Sequence, residues 1–345
     1  MKKLTLSAAS AALWSLGLLA PHTHADGGLL PPWGYEMWEP AQVAVLRYDP
    51  AAQTEDLILY PRFRGTTNDF GWVIPVPALP TLETADAELF WECARLTAPI
   101  YRERDGWGCL LNDEYDYRVA PTVGRDGGIV IYEEQTVGIY RTLTLGADNA
   151  DALADSLEAW GYLYAGNRPE VQSALQFYID KSWYFVAIRT DTTIHMYTDE
   201  FGYWAGAIAP IGLRFSSPAP VYPLRISALS ATEDAEVLLY VLAAHRMGFS
   251  GARTEYANRL EGEELERVRQ DYAHLRQILT GPDYLTKLRA YLGPANMTDD
   301  LVLTRAPSDR EFRQIHYTGL PSTEILLFAM VGIMLTRTRL ARRKP

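Results

Sequence analysis

The most restrictive local feature of this chain is a run of aromatic and β-branched residues that leads directly into three prolines. It reads DFGWVIPVPALP and covers residues 69–80. Proline fixes its own φ angle, removes a backbone N–H donor and keeps the preceding residue extended. We therefore predict a strand from Phe70 to Val76 that pairs on one side at most beyond Ile74, with Trp72 facing the core. Pro75 to Pro80 is predicted to form a stiff surface edge, either a plain strand exit or a lip along which extended peptides add.

The composition is that of a folded chain with an acidic surface. The 345 residues are 48% hydrophobic and 12% aromatic, which is enough apolar surface for a sizeable core. The formal net charge at pH 7 is -11. Because binding to a phosphate backbone requires a basic surface, nucleic acid is not an expected partner.

The first 25 residues have the features of a secretory signal peptide. Two lysines precede a long apolar stretch, and a short segment with small residues follows it. This order is typical of a signal that is removed after export, and the most suitable cleavage point lies between Ala25 and Asp26. We therefore predict a signal peptide in residues 1–25 and an exported domain in residues 26–320.

The C-terminal residues 321–345 combine a short apolar run with a basic end. Ile325 to Leu335 is an unbroken apolar sequence, and the ten residues after it hold five positive charges and no negative one. We predict a membrane anchor or a sorting tail, with the basic end on the cytoplasmic side and the main domain outside the cytoplasm. Eleven apolar residues are fewer than the roughly twenty of a clean span, so the arginine side chains must extend toward the headgroups. A buried core helix is the alternative for a soluble protein.

Several segments have the composition and alternation of β-strands. Residues 42–49 and 55–63 are joined by a turn near residue 50, and with Phe70 to Val76 they predict an antiparallel meander. Gly27 to Pro40 is predicted to be an extended lead-in, because it is rich in glycine, proline and aromatic residues. Further strands are predicted in GIVIYEEQTVGIYRTLTL (two strands), SWYFVAIRT, IGLRF, PLRISAL and AEVLLYVLAAHRM.

Helices are predicted wherever apolar residues recur at three- and four-residue spacing. They cover residues 84–97, a segment capped by Asp148, a segment around Pro169, residues 263–280, which show the clearest pattern, and residues 284–292. Strands and helices are mixed without a regular βαβ order. The predicted fold class is therefore α+β, with a mainly antiparallel sheet and several packing helices in one globular exported domain.

Seven segments give the chain a resemblance to a known bacterial family. In chain order they read AQVAVLRYD, TEDLILYPRFRG, DFGWVIPVPALP, YEEQTVGIY, LEAWGYL, WYFVAIRT and VYPLRISA with EVLLYVLAAHRM. Together they resemble the family catalogued as domain of unknown function 2330, and the likeness covers most of residues 40–250. Members of that family look like exported envelope proteins, often with a C-terminal anchor or sorting tail. The resemblance therefore implies one domain and an envelope location, and it supplies no catalytic residues.

The chain has two cysteines, Cys93 and Cys109. Exported proteins meet oxidising conditions, so the pair is a candidate disulfide, and closing the loop would contribute about 3 kcal/mol. The alternative is two free thiols, one buried in a helix and one in a glycine-rich loop. Neither a CxxC motif nor Cys/His ligand spacing occurs, which argues against a zinc site.

The sequence contains no recognisable catalytic, cofactor-binding or metal-binding motif. The histidines outside the predicted signal are His195, His245, His274 and His316, and each is interpreted as a surface or core histidine because none has a partner at ligand spacing. Serines occur without the G-x-S-x-G pattern of a nucleophile elbow. Adjacent acids, as at 133–134, point to opposite faces of a strand. We therefore predict no catalytic residue, no cofactor and no metal.

Two hypotheses for the function follow from these patterns. The first is a non-catalytic or structural envelope module, tethered to the membrane by its C-terminus, which binds protein, peptide or polysaccharide through aromatic and extended edge segments. The second is an exported hydrolase whose carboxylates converge only in the fold. The missing nucleophile and metal motifs favour the first. A deep cleft lined by buried carboxyls with raised pKa values would favour the second.

Overall fold

The fold consists mainly of β-strands. The computed structural model describes residues 28–103, 130–138, 140–147, 149–190, 197–198, 204–231 and 234–318. The strands within these ranges are β1 Gly28–Leu30, β2 Met37–Trp38, β3 Ala41–Asp49, β4 Thr54–Gly65, β5 Gly71–Val76, β6 Thr81–Thr84, β7 Ile100–Glu103, β8 Val130–Val137, β9 Tyr140–Gly146, β10 Tyr184–Thr190, β11 Tyr197–Thr198, β12 Trp204–Ala207, β13 Ile211–Ser216, β14 Val221–Tyr222, β15 Ala235–Ala243, β16 Met247–Gly248, β17 Arg253–Leu260, β18 Asp283–Leu292, β19 Leu301–Val302, β20 Thr304–Arg305, β21 Phe312–Arg313 and β22 Ile315–Thr318.

The helices are short, and two of them, α2 and α3, begin at identifiable sequence signals. Their bounds are α1 Glu88–Leu96, α2 Ala150–Ala159, α3 Arg168–Ile179, α4 Gly262–Asp271 and α5 Leu275–Ile278, with 3-10 helices at Arg225–Ser230 and Pro294–Asn296. The Asn149 side chain accepts a hydrogen bond from the Ala152 amide at 3.0 Å and caps α2. A proline in the first turn of α3 has the φ angle that a helix start requires.

The smaller sheet has five antiparallel strands in the order β1-β5-β10-β9-β8. β5 lies between β1 and β10, but β1 pairs only with Gly71 to Val73. Pro75 therefore pairs with Phe185 of β10 alone. The prediction that β5 pairs on one side beyond Ile74 is confirmed, because proline has no donor for a second neighbour.

The larger sheet runs in the order β11-β12-β4-β3-β15-β18-β17-β21; β2 and β13 also pair with β4, and β6 pairs with β13. β15 pairs in parallel with β3 and antiparallel with β18. The other pairs in this sheet are antiparallel. Mostly antiparallel sheets with packing helices make this an α+β fold with a globular domain, as the sequence predicts.

The two sheets pack face to face and share the main hydrophobic core. Trp72 and Val186 of the smaller sheet belong to the same buried cluster as Leu46 and Val237 of the larger sheet. The outer face of the smaller sheet is covered by α2 and α3, and the outer face of the larger sheet by α1, α4 and α5. The result is a four-layer arrangement of helices, sheet, sheet and helices.

The proline-rich stretch lies deeper than the sequence predicts. Trp72 is fully buried, as predicted, and its ring lies 6.1 Å from that of Tyr140. The predicted surface edge is wrong in part, because Pro75, Val76 and Pro80 are buried as well. Pro77 and Ala78 are half-buried, and only Leu79 of the stretch is exposed. The extended side chains pack between the sheets, so the stretch is a strand exit rather than an open lip.

Two predicted strands have a different position or structure. β3 and β4 pair as predicted, but β5 belongs to the smaller sheet, so the three-strand meander is wrong. The segment between β4 and β5 crosses from one sheet to the other. The predicted strand PLRISAL is largely the 3-10 helix Arg225–Ser230, because Ile226 and Leu229 pack into the core beneath α2 and α3.

Two predicted helices are also corrected. Residues 284–292 belong to β18, where Leu285 faces the helices and Leu288 the shared core. Apolar residues at a spacing of three fit a strand that is buried on both faces as well as they fit a helix. The predicted helix 263–280 is divided into α4 and α5, because Tyr272 is extended and a new helix begins after His274.

The predicted signal peptide and C-terminal tail lie outside the described residues, as do their boundaries. The Ala25–Asp26 cleavage point and the anchor in residues 321–345 therefore stay predictions. Within the described part of the chain, no helix combines the length and the apolar character needed to cross a membrane.

Gly65 allows close packing between β2 and β4. A Cβ at this position would lie 2.4 Å from the backbone oxygen of Glu36, which cannot rotate away. Gly65→Ala is expected to lower the free energy of unfolding by about 1–3 kcal/mol, measured by urea denaturation. Gly248→Ala is the matched control, because a Cβ there meets nothing within 4 Å. Equal urea midpoints for the two variants would contradict this packing.

Candidate functional site

Two clefts that described residues form differ in their chemistry. The first, here called the aromatic cleft, has a volume of about 340 Å³. Its lining residues come from the β1–β2 segment, the start of α3 and the 3-10 helix: Leu29, Leu30, Pro31, Trp33, Gly34, Tyr35, Glu36, Met37, Tyr164, Asn167, Glu170, Val171 and Leu229. These parts of the chain are distant in sequence, so the cleft exists only in the folded protein.

Two aromatic side chains at the aromatic cleft are exposed to solvent. Trp33 is 75% exposed and Tyr35 is 52% exposed. They flank Gly34, whose φ angle of +85° is in the left-handed region and turns the chain between them. Large exposed aromatic groups beside a concavity are typical of a binding surface rather than of core packing.

The floor of the aromatic cleft is buried and fixed by hydrogen bonds. Leu29, Met37 and Val171 are almost fully buried beneath it. The Leu29 amide donates to Ser230 Oγ at 2.9 Å, which joins β1 to the 3-10 helix. The floor therefore offers a preformed surface for a ligand.

The walls of the aromatic cleft carry polar and acidic groups. The backbone of Glu36 is held by Thr66, which receives a hydrogen bond from the Glu36 amide at 2.8 Å and donates its own amide to the Glu36 carbonyl. Glu36 and Glu170 are exposed, and the Asn167 side chain accepts from the Tyr164 amide at 2.9 Å. The described lining contains no lysine or arginine. An anionic ligand would therefore meet carboxylates without a compensating cation.

The second cleft, here called the charged cleft, lies on the helix-covered side of the larger sheet and has a volume of about 540 Å³. Its lining residues come from β4, β6, α1, β13 and the α5 region: Asp56, Ile58, Glu83, Thr84, Ala85, Asp86, Leu89, Arg214, His274, Gln277, Ile278 and Thr280. Arg214 makes two hydrogen bonds to the Asp56 carboxylate. Arg47 bonds Thr280 and lies 3.7 Å from Asp56. Part of the acidic charge is therefore balanced within the protein.

A histidine and a buried carboxylate meet at the edge of the charged cleft. Glu92 accepts hydrogen bonds from the backbone amides of His274 and Leu275 and from Nδ1 of His274 at 3.0 Å. Burial raises the pKa of Glu92, but the hydrogen bonds from Leu275 and His274 outweigh it, so the pKa is lowered. An ionised carboxylate only accepts, so Nδ1 of His274 donates to it. Nε2 then lies 3.6 Å from Asp86.

The carboxyls with raised pKa values lie elsewhere. Burial raises the pKa of Glu55 well above its usual value, and this side chain faces the shared core, where it accepts from the Val221 amide. Burial also raises the pKa of Asp283, which is paired with Arg47, and that of Asp300, which accepts from the Tyr178 hydroxyl. None of the three is among the described residues that line the charged cleft. The arrangement expected of a hydrolase, with a raised-pKa carboxyl facing a deep cleft, does not occur there.

The histidines are dispersed over the fold. His245 is bonded to Asp309 at 2.9 Å, His274 to Glu92, and His316 stacks on Tyr101. His195 lies outside the described residues. The described residues contain no group of three His, Cys, Asp or Glu side chains placed to hold a metal ion.

Cys93 is fully buried in α1, and burial raises the pKa of its thiol. Its candidate partner Cys109 lies outside the described residues. The disulfide therefore stays a prediction.

The sequence predicts the extended lead-in from Gly27 to Pro40 but no binding site within it. Trp33 and Tyr35 are the sequence signal for this cleft. They lie among glycines and prolines, and because the segment has no strand or helix periodicity, no pattern predicts that their side chains are buried. Their partners near Tyr164 and Glu170 could not be identified, because no local pattern links them to residue 33.

The chain that forms this four-layer fold and these clefts belongs to a bacterial family. A model for that family, described as an uncharacterized protein conserved in bacteria (DUF2330), matches residues 24–304, so the chain is a member of it. Both clefts lie within the matched residues, whereas β21 and β22 lie beyond them. No curated protein and no solved structure matches the chain.

Glu92 links α1 to the start of α5, and its replacement tests this link. Glu92→Gln is expected to lower the free energy of unfolding by about 2 kcal/mol near pH 7, since a buried charged acceptor of several hydrogen bonds is lost. The folded-state pKa of Glu92 is lowered. Its stabilising effect is therefore present above the unfolded pKa of about 4.3 and is lost as pH falls through the folded value.

Urea titrations of both proteins between pH 3 and pH 7 measure this effect. The difference between wild type and Glu92→Gln should shrink toward the acidic end of that range. Glu88→Gln is the matched control, because Glu88 lies in the first turn of the same helix and is exposed. A pH-independent difference would show that Glu92 does not act through its charge.

Proposed function

We propose that the protein is a non-catalytic binding module of the bacterial cell envelope and that its aromatic cleft binds a neutral polysaccharide. The observation that carries the proposal is the pair of exposed rings, Trp33 and Tyr35, beside a buried apolar floor. The location rests on the sequence, through the predicted signal in residues 1–25 and the predicted anchor in residues 321–345.

The chemistry of the aromatic cleft suits a sugar ring. A pyranose has an apolar C–H face, which can stack on an indole or phenol ring, and a rim of hydroxyls. Glu36, Asn167 and Glu170 provide acceptors and donors for those hydroxyls. Trp33 and Tyr35 combine large apolar area with few rotatable bonds, so a ligand orders them at a small entropic cost. A polyanion is disfavoured because the described lining carries acids and no basic residue.

Peptide binding by strand addition is less well supported at the aromatic cleft. β1 is the edge strand there, but its open side is covered by the 3-10 helix Arg225–Ser230. The Leu29 amide already donates to Ser230 Oγ on this side, and the adjoining face of the strand packs against Ile226, 3.3 Å from a Cβ placed on Gly28. An extended peptide would find the edge closed and its donor in use.

The hydrolase hypothesis has one specific observation in its favour. In the charged cleft, Glu92 holds the His274 ring and directs Nε2 toward Asp86. A fixed imidazole beside a carboxylate is one part of an acid–base pair. The described lining adds threonine hydroxyls and the carboxylates of Glu83 and Asp86 as candidate nucleophiles, but no serine or cysteine.

The proposal is tested by replacing one exposed tryptophan and comparing it with another. Trp33→Ala is expected to raise the Kd for a neutral probe, chitohexaose, by about tenfold, because a stacked ring is lost. Trp91→Ala is the control: Trp91 is 43% exposed but lies on α1, away from the aromatic cleft. Titration calorimetry on full-length protein in a detergent without a sugar headgroup gives both constants.

Two further probes separate the alternatives. Polygalacturonate should bind more weakly than chitohexaose if the acidic walls exclude anions, and a lysine-rich peptide that binds more tightly would point to a peptide ligand. Shortening of chitohexaose, followed by mass spectrometry, would support the hydrolase. Equal chitohexaose affinities for wild type, Trp33→Ala and Trp91→Ala would contradict the proposed site.

A further inference from the structure

Strands β7 and β22 form a small ribbon whose surface is unusually apolar. They pair in parallel, with Ile100 opposite Ile315 and Tyr101 opposite His316. Tyr101 is 68% exposed and Tyr317 is 54% exposed, and both isoleucines are more than one-third exposed. Neighbouring residues of a strand point to opposite faces, so apolar side chains are exposed on both sides of the ribbon.

A two-stranded parallel ribbon with exposed apolar side chains is not expected to be stable by itself. Parallel strands occur almost only where both faces are covered, and two strands alone are marginally stable in water. At its base the ribbon is fixed to the domain, because the Ile100 amide donates to the Gln314 carbonyl and the Gln314 amide donates to the Glu255 carbonyl. Toward Glu103 and Thr318 the described chain provides no further strand for the sheet. A surface outside the described residues is the expected cover.

The direction of the chain indicates which surface this is. In a parallel pair both strands end on the same side, so Thr318 lies at the free end of the ribbon. Only residues 319–324 separate it from the apolar run that begins at Ile325. Those residues span at most about 25 Å when fully extended. Whatever holds Ile325 to Leu335 must therefore lie within that distance of the ribbon.

The apolar run is too short to be a complete anchor by itself. Eleven residues rise about 16 Å even as a helix, roughly half the thickness of the hydrocarbon layer. Stable attachment of a weak anchor requires a second contact with the membrane. Tyrosine is enriched at the headgroup level, where its apolar ring and its hydroxyl are both accommodated, and Arg102 beside Tyr317 can meet anionic lipid.

We propose that this ribbon is a membrane-contact surface, with Tyr101 and Tyr317 in the headgroup layer of the leaflet that residues 325–335 enter. The inference rests on the proposed C-terminal tether and adds to it. A tether alone leaves the domain free to move away from the bilayer. The ribbon holds the domain against the membrane, and the lipid covers the apolar faces that the described chain leaves open.

Oxidation by hydroxyl radicals in the wild-type protein tests the inference directly. Full-length protein is incorporated into vesicles of phosphatidylethanolamine and phosphatidylglycerol. Tyr291, which is 62% exposed and lies in β18, is the internal reference. Tyr101 and Tyr317 are expected to be oxidised about fivefold more slowly than Tyr291, because lipid shields them from water.

A pair of matched variants adds a functional readout. Tyr101→Ser/Tyr317→Ser is expected to lower vesicle partitioning by about tenfold, measured by flotation at increasing lipid concentration. Tyr132→Ser/Tyr291→Ser removes two exposed tyrosines elsewhere and should partition as wild type. Urea midpoints verify that the variants are folded, and the oxidation measurement does not depend on any variant.

These experiments distinguish a failure of the C-terminal tether from a failure of the ribbon contact. Full-length protein that does not float with the vesicles would overturn both the tether and the ribbon contact. Protein that floats, with Tyr101 and Tyr317 oxidised as fast as Tyr291, would leave the tether and overturn the ribbon contact. Protection that requires no lipid and grows with protein concentration would assign the surface to a second copy of the chain instead.

Discussion

The whole arrangement depends on β15, a strand that is buried on both faces. Val237 and Leu239 point into the core between the sheets, and Leu238 and Tyr240 point toward the helices. Each face of the larger sheet must therefore be covered, one by the smaller sheet and the other by α1, α4 and α5. β15 also pairs in parallel with β3, about 195 residues earlier in the chain, so the two halves of the molecule meet at this strand.

On β4, successive side chains point to opposite faces of the sheet, so one face of the strand contributes to the core and the other to the charged cleft. Glu55 points into the shared core, and its neighbour Asp56 points into the charged cleft. The carboxyl with a raised pKa is thereby placed in the interior, where it bonds the Val221 amide, while the cleft carboxylate is paired with Arg214. At the other end of β4, the absence of a side chain on Gly65 brings Glu36 close and shapes one wall of the aromatic cleft.

Local sequence patterns predict the type of an element correctly where its buried residues form a continuous apolar run or a helical stripe. The apolar run in β15 predicts a strand, and the apolar stripe of α2 predicts a helix, although its cap is Asn149 rather than the predicted Asp148. The pattern of residues 284–292 was ambiguous, because a strand buried on both faces has no period of two. The division of helix 263–280 depends on Glu92, which is about 180 residues away and caps the start of α5.

The resemblance to the family identifies the class of protein but no activity. The aromatic cleft joins residues 29–37 to residues 164–171, and a single sequence without an internal pattern does not predict that contact.

The most direct test of the central claim is a crystal structure of the protein with chitohexaose. We expect one sugar ring to stack on Trp33, with its hydroxyls within hydrogen-bond distance of Glu36 or Asn167, and an intact oligosaccharide. A ligand found instead in the charged cleft beside His274 and Asp86, or a shortened product there, would contradict the binding-module account and support the hydrolase.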